Sequence, residues 1–268
     1  MVLMKDKQRI PILPNMITTG SIFAGFYSIM HSIHGDFTKA AWAIVIAGVC
    51  DNLDGRVARM TNSQSDFGVQ YDSLSDMISF GFAPAMLAYF WGLESFGRIG
   101  WMASFIFVVC AALRLARFNV QGSTEEKDHF QGMPSPGAAG ILLSTVLFIQ
   151  EITGKGQIDN PVGKVFFLAL VVVAALLMVS GVRFRTFKNF SIRGVSPLRV
   201  LLLGALILSL VMVSPEFFLF LVGITYLSGG IFETIFYLRK GVKEVLDPDE
   251  YKDTDENKPE GGVTLLSS

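Results

Sequence analysis

The chain has 268 residues, of which 51% are hydrophobic and only 17% charged, with a mean hydropathy of +0.49. A soluble domain carries roughly 45–50% apolar and about 25% charged residues, so a water-soluble globule of this length could not hide the surplus. A net charge of −1 excludes the basic footprint of a nucleic-acid-binding protein, and Cys50 and Cys110, each inside an apolar run, exclude a disulfide framework or a thiolate zinc site.

The apolar residues are clumped into runs long enough to cross about 30 Å of hydrocarbon, which predicts an all-α polytopic membrane bundle. Residues 1–13 form a basic N-terminal segment. It lacks an apolar stretch followed by a small-residue cleavage site, so the first span is expected to be its own insertion signal. Eight spans are predicted at about 16–34, 38–60, 70–93, 98–118, 136–153, 163–182, 198–213 and 216–238. Residues 245–268 are polar, acidic and rich in Pro and Gly, the composition of a disordered tail. With alternate loops assigned to the cytoplasm, 18 of the 22 Lys and Arg residues fall inside, leaving Lys39, Arg98, Lys155 and Lys164 outside. That asymmetry follows the positive-inside rule and predicts cytoplasmic termini.

The second and third spans carry charge that lipid would not tolerate without a reason. Asp51 and Asp54 are three apart and Asp72 and Asp76 four apart, so each pair shares one face of its own helix. The polar stretch 60–69, with Asn62, Ser63, Gln64, Ser65 and Gly68, is expected to turn the chain and bring the four carboxylates to one depth. Oxygen donors without His or Cys suit Mg²⁺, Mn²⁺ or Ca²⁺ rather than zinc. Hard divalent ions of this kind serve diphosphate substrates. Arg59, one turn beyond the first pair, offers a fork for phosphate. Gly55, Ala58 and Gly68 leave room for a ligand, or alternatively for a neighbouring helix, to approach closely. A solvated helix end is the plainer alternative for the aspartates. His31, His34 and His129 have no ligand spacing among themselves.

Residues 51–76 read D-x-x-D-G-x-x-A-R-x8-G-x-x-x-D-x-x-x-D, which resembles the signature of the CDP-alcohol phosphatidyltransferase family at each fixed position. The resemblance implies a six-helix catalytic core within residues 14–182, followed by a basic loop and two further helices over 183–244 that are left for packing or dimer contacts. It implies that Asp51, Asp54, Asp72 and Asp76 bind two divalent cations, Mn²⁺ or Mg²⁺, that Asp76 is also the general base, and that Gly55, Ala58 and Gly68 border the nucleotide. Members transfer a phosphatidyl group from a CDP-linked lipid such as CDP-diacylglycerol to an alcohol and release CMP. Pro14 and Asn15 resemble family segments near the cytidine or its phosphates; a helix start is the alternative.

The stretches PNMITTGSIFAGF at 14–26, RLARFNV at 114–120 and GMPSPGAAG at 132–140 are similar to the branch that uses L-serine as acceptor. A zwitterionic acceptor needs a cation for its carboxylate, which Arg114 and Arg117 could supply with Asn119 adding a polar contact; positive-inside anchoring is the alternative for both arginines. Pro134 and Pro136 are expected to set the start of the fifth span. Glycerol 3-phosphate or inositol phosphate as acceptor stays open, with 183–193 the one further basic cluster, and so does a cation transporter with an intramembrane carboxylate site. The expected location is the plasma membrane, and Arg56 and Arg59 beside the aspartates predict a site on the cytoplasmic side.

Overall fold

The computed structural model describes residues 12–121, 130–154, 156–180, 183–184, 209 and 213–229. The segment before residue 12, most of the 183–193 basic run and of the 198–213 span, His129, the end of the last span and the acidic tail lie outside the described residues.

Helix α1 (Ile12–Ile33) buries Pro14, Thr18, Ser21, Ala24, Gly25, Ser28 and Ser32, a stripe of small residues at three- and four-residue spacing. Small side chains let helix backbones approach in lipid, where no hydrophobic force drives helices together. Helix α2 (Phe37–Met60) answers with Ala40, Ala41, Ile44 and Ala47. The turn between them needs Gly35 in the left-handed region at φ +81°, and the Asp36 N–H donates to the His31 carbonyl at 2.9 Å. Lys39 Nζ and His31 Nδ1 both lie 3.2 Å from Asp36 Oδ2. Lys39 first, and His31 second, hold that carboxyl below its ordinary range.

Helix α3 (Asp66–Asp76) opens on Ser65, whose hydroxyl accepts from the Gly68 N–H at 3.0 Å. Its last residue, Asp76, passes directly into a π-helical turn, Met77–Phe82, before α4 (Ala83–Ala88) resumes the ordinary winding. Pro84 explains the loosened ladder, because it withholds the N–H that an α-helix would give to the Phe80 carbonyl. Such wide turns are frequent at functional sites. A second π-turn, Tyr89–Leu93, and a short 3-10 turn, Glu94–Phe96, complete this arm.

Helices α5 (Arg98–Gln121), α6 (Ser135–Thr153) and α7 (Pro161–Val179) are each long and apolar enough to cross a bilayer. A shorter apolar helix, α8, spans Pro215–Gly229. The interior is built largely from alanine, with Ala83, Ala88, Ala111, Ala138, Ala139, Ala174 and Ala175 fully enclosed, plus a few large groups such as Trp91, packed edge-on against Phe167 at 4.7 Å. Large apolar residues instead face outward, Phe23 at 67% and Phe166 at 72% exposure among them. That inversion of the water-soluble pattern is what a lipid solvent selects.

The predicted all-helical bundle is borne out in type, and the first six predicted spans each coincide with helical segments within a few residues. The eight-span count reaches beyond the described residues. One small departure is a two-residue antiparallel pairing of Phe130–Gln131 with Arg183–Phe184. Gly132 continues it at φ +89°, where a Cβ would lie 2.5 Å from the Met178 carbonyl oxygen, and the Met133 N–H donates to the Leu177 carbonyl at 3.0 Å. These bonds tie the segment before α6 to the end of α7.

Candidate active site

The turn between α2 and α3 is shorter than predicted, with α3 starting at Asp66 and Asn62 taking the left-handed conformation at φ 48°. It folds the two acidic helix ends against each other. One carboxylate oxygen from each of Asp51, Asp72 and Asp76 lies within 4.8 Å of the other two. Asp72 Oδ1 is buried without a hydrogen-bond partner. Like charges left bare at such separation repel strongly away from water, and an orphaned buried carboxylate oxygen lacks the partner its burial demands. A divalent cation bound by hard oxygen donors answers both needs, so the donor set fits an Mg²⁺- or Mn²⁺-type ion.

Asp54 is held differently. It is 4% exposed, and its Oδ2 accepts a hydrogen bond from Thr18 Oγ1 of α1 at 2.6 Å, while Thr18 also lies 3.1 Å from the Pro14 carbonyl. The sequence treats the four aspartates as equivalent; the structure groups three and fastens the fourth to α1. Thr18 was not singled out from the sequence, and its only signal there is its place in the small-residue stripe of α1.

Beside the carboxylates a cleft of about 230 Å³ is lined by Asn15, Thr18, Asp54, Gly55, Ala58, Arg59, Ser65, Gly68 and Asp72, among others. A liquid water takes about 30 Å³, so the cleft admits a small polar ligand. All of the residues expected to border a nucleotide and its diphosphate meet on its walls. A Cβ on Gly55 would lie 3.4 Å from Arg59 Nη1, which puts the guanidinium directly over the bare glycine backbone. At Gly68 a Cβ would lie 3.2 Å from Ser65 Oγ and 3.7 Å from Asn15 Oδ1. Asn15 Nδ2 is buried with no partner, a donor left open beside the cleft.

Serine hydroxyls fix α3 and the π-turn after it against α1. Ser75 Oγ donates to the Thr18 carbonyl at 3.3 Å, and Ser79 Oγ donates to the Ser21 carbonyl at 3.0 Å. Together they bracket Asp76 and set how far α3 can slide.

The three candidates for an acceptor site part company. Arg114 Nη1 donates to Ser135 Oγ at 3.1 Å, and its Nε is buried without a hydrogen-bond partner. Ser135, fully buried at the first turn of α6, was passed over in the sequence as a neighbour of structural prolines. Asn119 is not brought to the carboxylates: its Oδ1 accepts from Ser73 Oγ at 3.1 Å, in a separate groove with Gln70, Leu74, Met77 and Leu115. Arg117 lies one turn beyond Arg114 on α5 and is engaged by other groups of the chain.

A family model described as CDP-alcohol phosphatidyltransferase matches residues 11–178. The chain belongs to the CDP-alcohol phosphatidyltransferase family. A Helicobacter pylori protein named CDP-diacylglycerol–serine O-phosphatidyltransferase is 38% identical over 229 residues, covering 85% of this chain and 93% of its own. Proteins of the same name from Mycobacterium bovis and Bacillus subtilis are 34% and 33% identical, covering 68% and 66% of this chain and 63% and 92% of theirs. The family match spans α1 through α7 and so takes in both acidic helix ends and the cleft, while α8 lies outside it.

Proposed function

We propose that the chain transfers a phosphatidyl group from CDP-diacylglycerol to the hydroxyl of L-serine, giving phosphatidylserine and CMP. The observation that carries this reading is the convergence of Asp51, Asp72 and Asp76 at the edge of a cleft that holds the rest of the family signature. The relatives' shared name supports the acceptor and the lipid.

Asp51, Asp72 and Asp76 would hold the divalent cations, with Asp54 completing the set from its Thr18-anchored position. When bound, such ions neutralise phosphoryl oxygens and ease departure of the nucleotide. Asn15 and Arg59 donate to the nucleotide and its diphosphate, and the absence of side chains at Gly55 and Gly68 lets that ligand lie against the backbone. Asp76 takes the proton of the serine hydroxyl. The freed oxygen forms a bond to the lipid-side phosphorus as the bond from that phosphorus to the CMP oxygen breaks, and CMP carries off the electron pair. Acyl chains stay among the outward-facing apolar residues, so the lipid reaches the site laterally.

Residues 14–182 form the catalytic unit in this reading, and the site lies at the cytoplasmic face of the plasma membrane, as the distribution of Lys and Arg favours. The decisive experiment offers the purified chain in detergent CDP-diacylglycerol, Mg²⁺ or Mn²⁺ and a panel of serine, glycerol 3-phosphate, inositol phosphate and ethanolamine. CMP release with serine and little with the others is the expected result. A better rate with another alcohol overturns the acceptor assignment, and cation movement without CMP release overturns the enzyme.

A further inference from the structure

A separate cavity of about 240 Å³ lies at the end of the bundle away from the carboxylates. Asp76 and Trp91 sit on one continuous helical arm, and the stretch between them spans about 20 Å at the usual helical rise. One wall is the second π-turn and the 3-10 turn after it, through Trp91, Gly92 and Glu94; the other is the connection into α7, through Gln157, Ile158 and Lys164. Side-chain bonds hold that connection in place. Gln157 Nε2 donates to the Phe90 carbonyl at 3.0 Å, Gln150 Nε2 to the Gly156 carbonyl at 2.8 Å, and Thr38 Oγ1 to Gln150 Oε1 at 2.9 Å. Gly92 lets the two walls close up, since a Cβ there would lie 3.1 Å from both Ile158 Cγ2 and Phe167 Cδ1.

Three of the lining groups are left without a partner. Trp91 is 1% exposed, and its Nε1 is buried with no hydrogen-bond acceptor, although a buried indole N–H ordinarily finds one. Lys164 is half-buried in the first turn of α7, the end where the helix dipole disfavours a cation. Glu94 stands on the other wall, and among the described residues neither it nor Lys164 forms an ion pair. Opposite charges that share one cavity without meeting, with a buried donor beside them, are the complement of a zwitterion. On α7 next to Lys164, Val162, Val165 and Phe166 face outward at 61%, 56% and 72% exposure, an apolar surface suited to acyl chains.

We propose that this cavity binds the headgroup of phosphatidylethanolamine from the leaflet opposite the carboxylates, with Lys164 and the Trp91 N–H taking the phosphate and Glu94 the ammonium. A primary ammonium offers N–H donors to the Glu94 carboxylate, which a quaternary ammonium does not. A headgroup that is purely anionic brings nothing to Glu94 but like charge. The bound headgroup joins the two walls and so braces the end of the arm whose other end carries Asp72 and Asp76. The site is independent of the acceptor assigned above.

The test uses the full chain in detergent and follows its unfolding temperature as phosphatidylethanolamine, phosphatidylcholine or phosphatidylglycerol with the same acyl chains is added. Phosphatidylethanolamine should raise the unfolding temperature to a plateau, and the other two should raise it less at equal concentration. Glu94→Gln and Lys164→Gln should each increase the phosphatidylethanolamine concentration for half the effect about tenfold, the size of one lost charge-assisted contact. Both should leave CMP release in the absence of that lipid within about twofold, since neither residue reaches the acidic site. Trp91→Phe keeps a ring against Phe167 and removes the N–H; measured against its own lipid-free unfolding temperature, it should weaken the response about three- to tenfold. Equal stabilisation by the three lipids, or a wild-type response in both charge variants, overturns the proposal. Stabilisation by free glycerophosphoethanolamine at the concentrations where the lipid acts would make this a site for a soluble zwitterion and overturns the lipid assignment.

Discussion

Thr18 Oγ1 and Asp54 Oδ2 are 2.6 Å apart, a short bond that joins the buried face of α1 to the acidic end of α2. A hydroxyl donating to a carboxylate in an enclosed place contributes roughly 1.5–3 kcal/mol, and removing it strands the acceptor. Thr18→Val preserves the branched shape and deletes the donor. It should lower the unfolding temperature of the detergent-solubilised protein and reduce CMP release at least about tenfold, because Asp54 then turns to seek another partner. Thr18→Ser should restore most of both. Equal loss in the serine and valine variants would mean that shape, and not the hydrogen bond, is what Thr18 supplies.

Gly25 tests the close approach of α1 to the π-turn. A Cβ there would stand 2.9 Å from Ser79 Oγ and 3.0 Å from Ser79 Cα, so backbone must move to admit it. Gly25→Ala should destabilise the protein by about 1–3 kcal/mol and depress turnover, since Ser79 is three residues from Asp76. Gly140 on α6 is the control, because a Cβ there meets nothing within 4 Å. Gly140→Ala should be neutral or stabilise by up to about 1 kcal/mol, the ordinary helix preference for alanine. Thermal unfolding of the pair reads the contrast directly.

The convergence of Asp51, Asp72 and Asp76 was legible, because fixed carboxylate spacing on two helices joined by a polar turn leaves few ways to arrange the side chains; the separate anchoring of Asp54 was not. Asn15, Gly55, Ala58, Arg59 and Gly68 were legible for the same reason: each lies within one or two turns of an aspartate or at the helix start facing it. Thr18 and Ser135 were not, since a small hydroxyl residue on an apolar helix looks the same whether it packs or donates. Asn119 failed to join the site because about one and a half turns of α5 separate it from the depth of Arg114, and it meets Ser73 instead. The π-turn after Asp76 was hidden too, although Pro84 is its visible cause. Docking of α8 on α6, where a Cβ on Gly223 would lie 3.0 Å from Ser144 Oγ, depends on contacts between residues some 80 apart, which no local pattern encodes.

Asp76→Asn tests the proton transfer proposed for Asp76, with saturating Mn²⁺ offsetting the ligand carboxylate that it also removes. The amide keeps the volume and can still accept one hydrogen bond, but it cannot take the serine proton. A positioned general base typically contributes 10²–10⁴-fold, and loss of at least that size in kcat is expected, with the elution profile and unfolding temperature close to wild type. Retention of near-normal turnover at saturating Mn²⁺ would remove Asp76 from that role.

Arg59 lies over Gly55 on the cleft wall and is assigned to the diphosphate. Arg59→Lys keeps a positive charge but loses the planar fork. It should raise the KM for CDP-diacylglycerol and lower kcat together, because charge grows on the leaving CMP as the bond breaks. The serine KM should stay within about twofold. An effect on serine alone would move Arg59 to the acceptor side.

Chelation tests the carboxylate cluster as a whole. Asp51, Asp72 and Asp76 come from two helices, and among the described residues no basic side chain forms an ion pair with any of them. If the cluster exists to hold divalent ions, EDTA should abolish CMP release and Mg²⁺ or Mn²⁺ should restore it, while Zn²⁺ should do so poorly because the donors are all hard oxygens. Asp72→Asn removes one charge and leaves the buried position filled. It should raise the Mn²⁺ concentration for half-maximal rate by at least about tenfold, since each ligand carboxylate lost weakens the site by on the order of 1.4 kcal/mol or more. Because bound ions also relieve repulsion between the helix ends, Mn²⁺ should raise the unfolding temperature of the wild type and raise it less in Asp72→Asn. That second readout does not depend on turnover. A wild type whose unfolding temperature ignores Mn²⁺ would mean that these carboxylates are neutralised by protons instead, and the cluster would then have no part in holding a diphosphate.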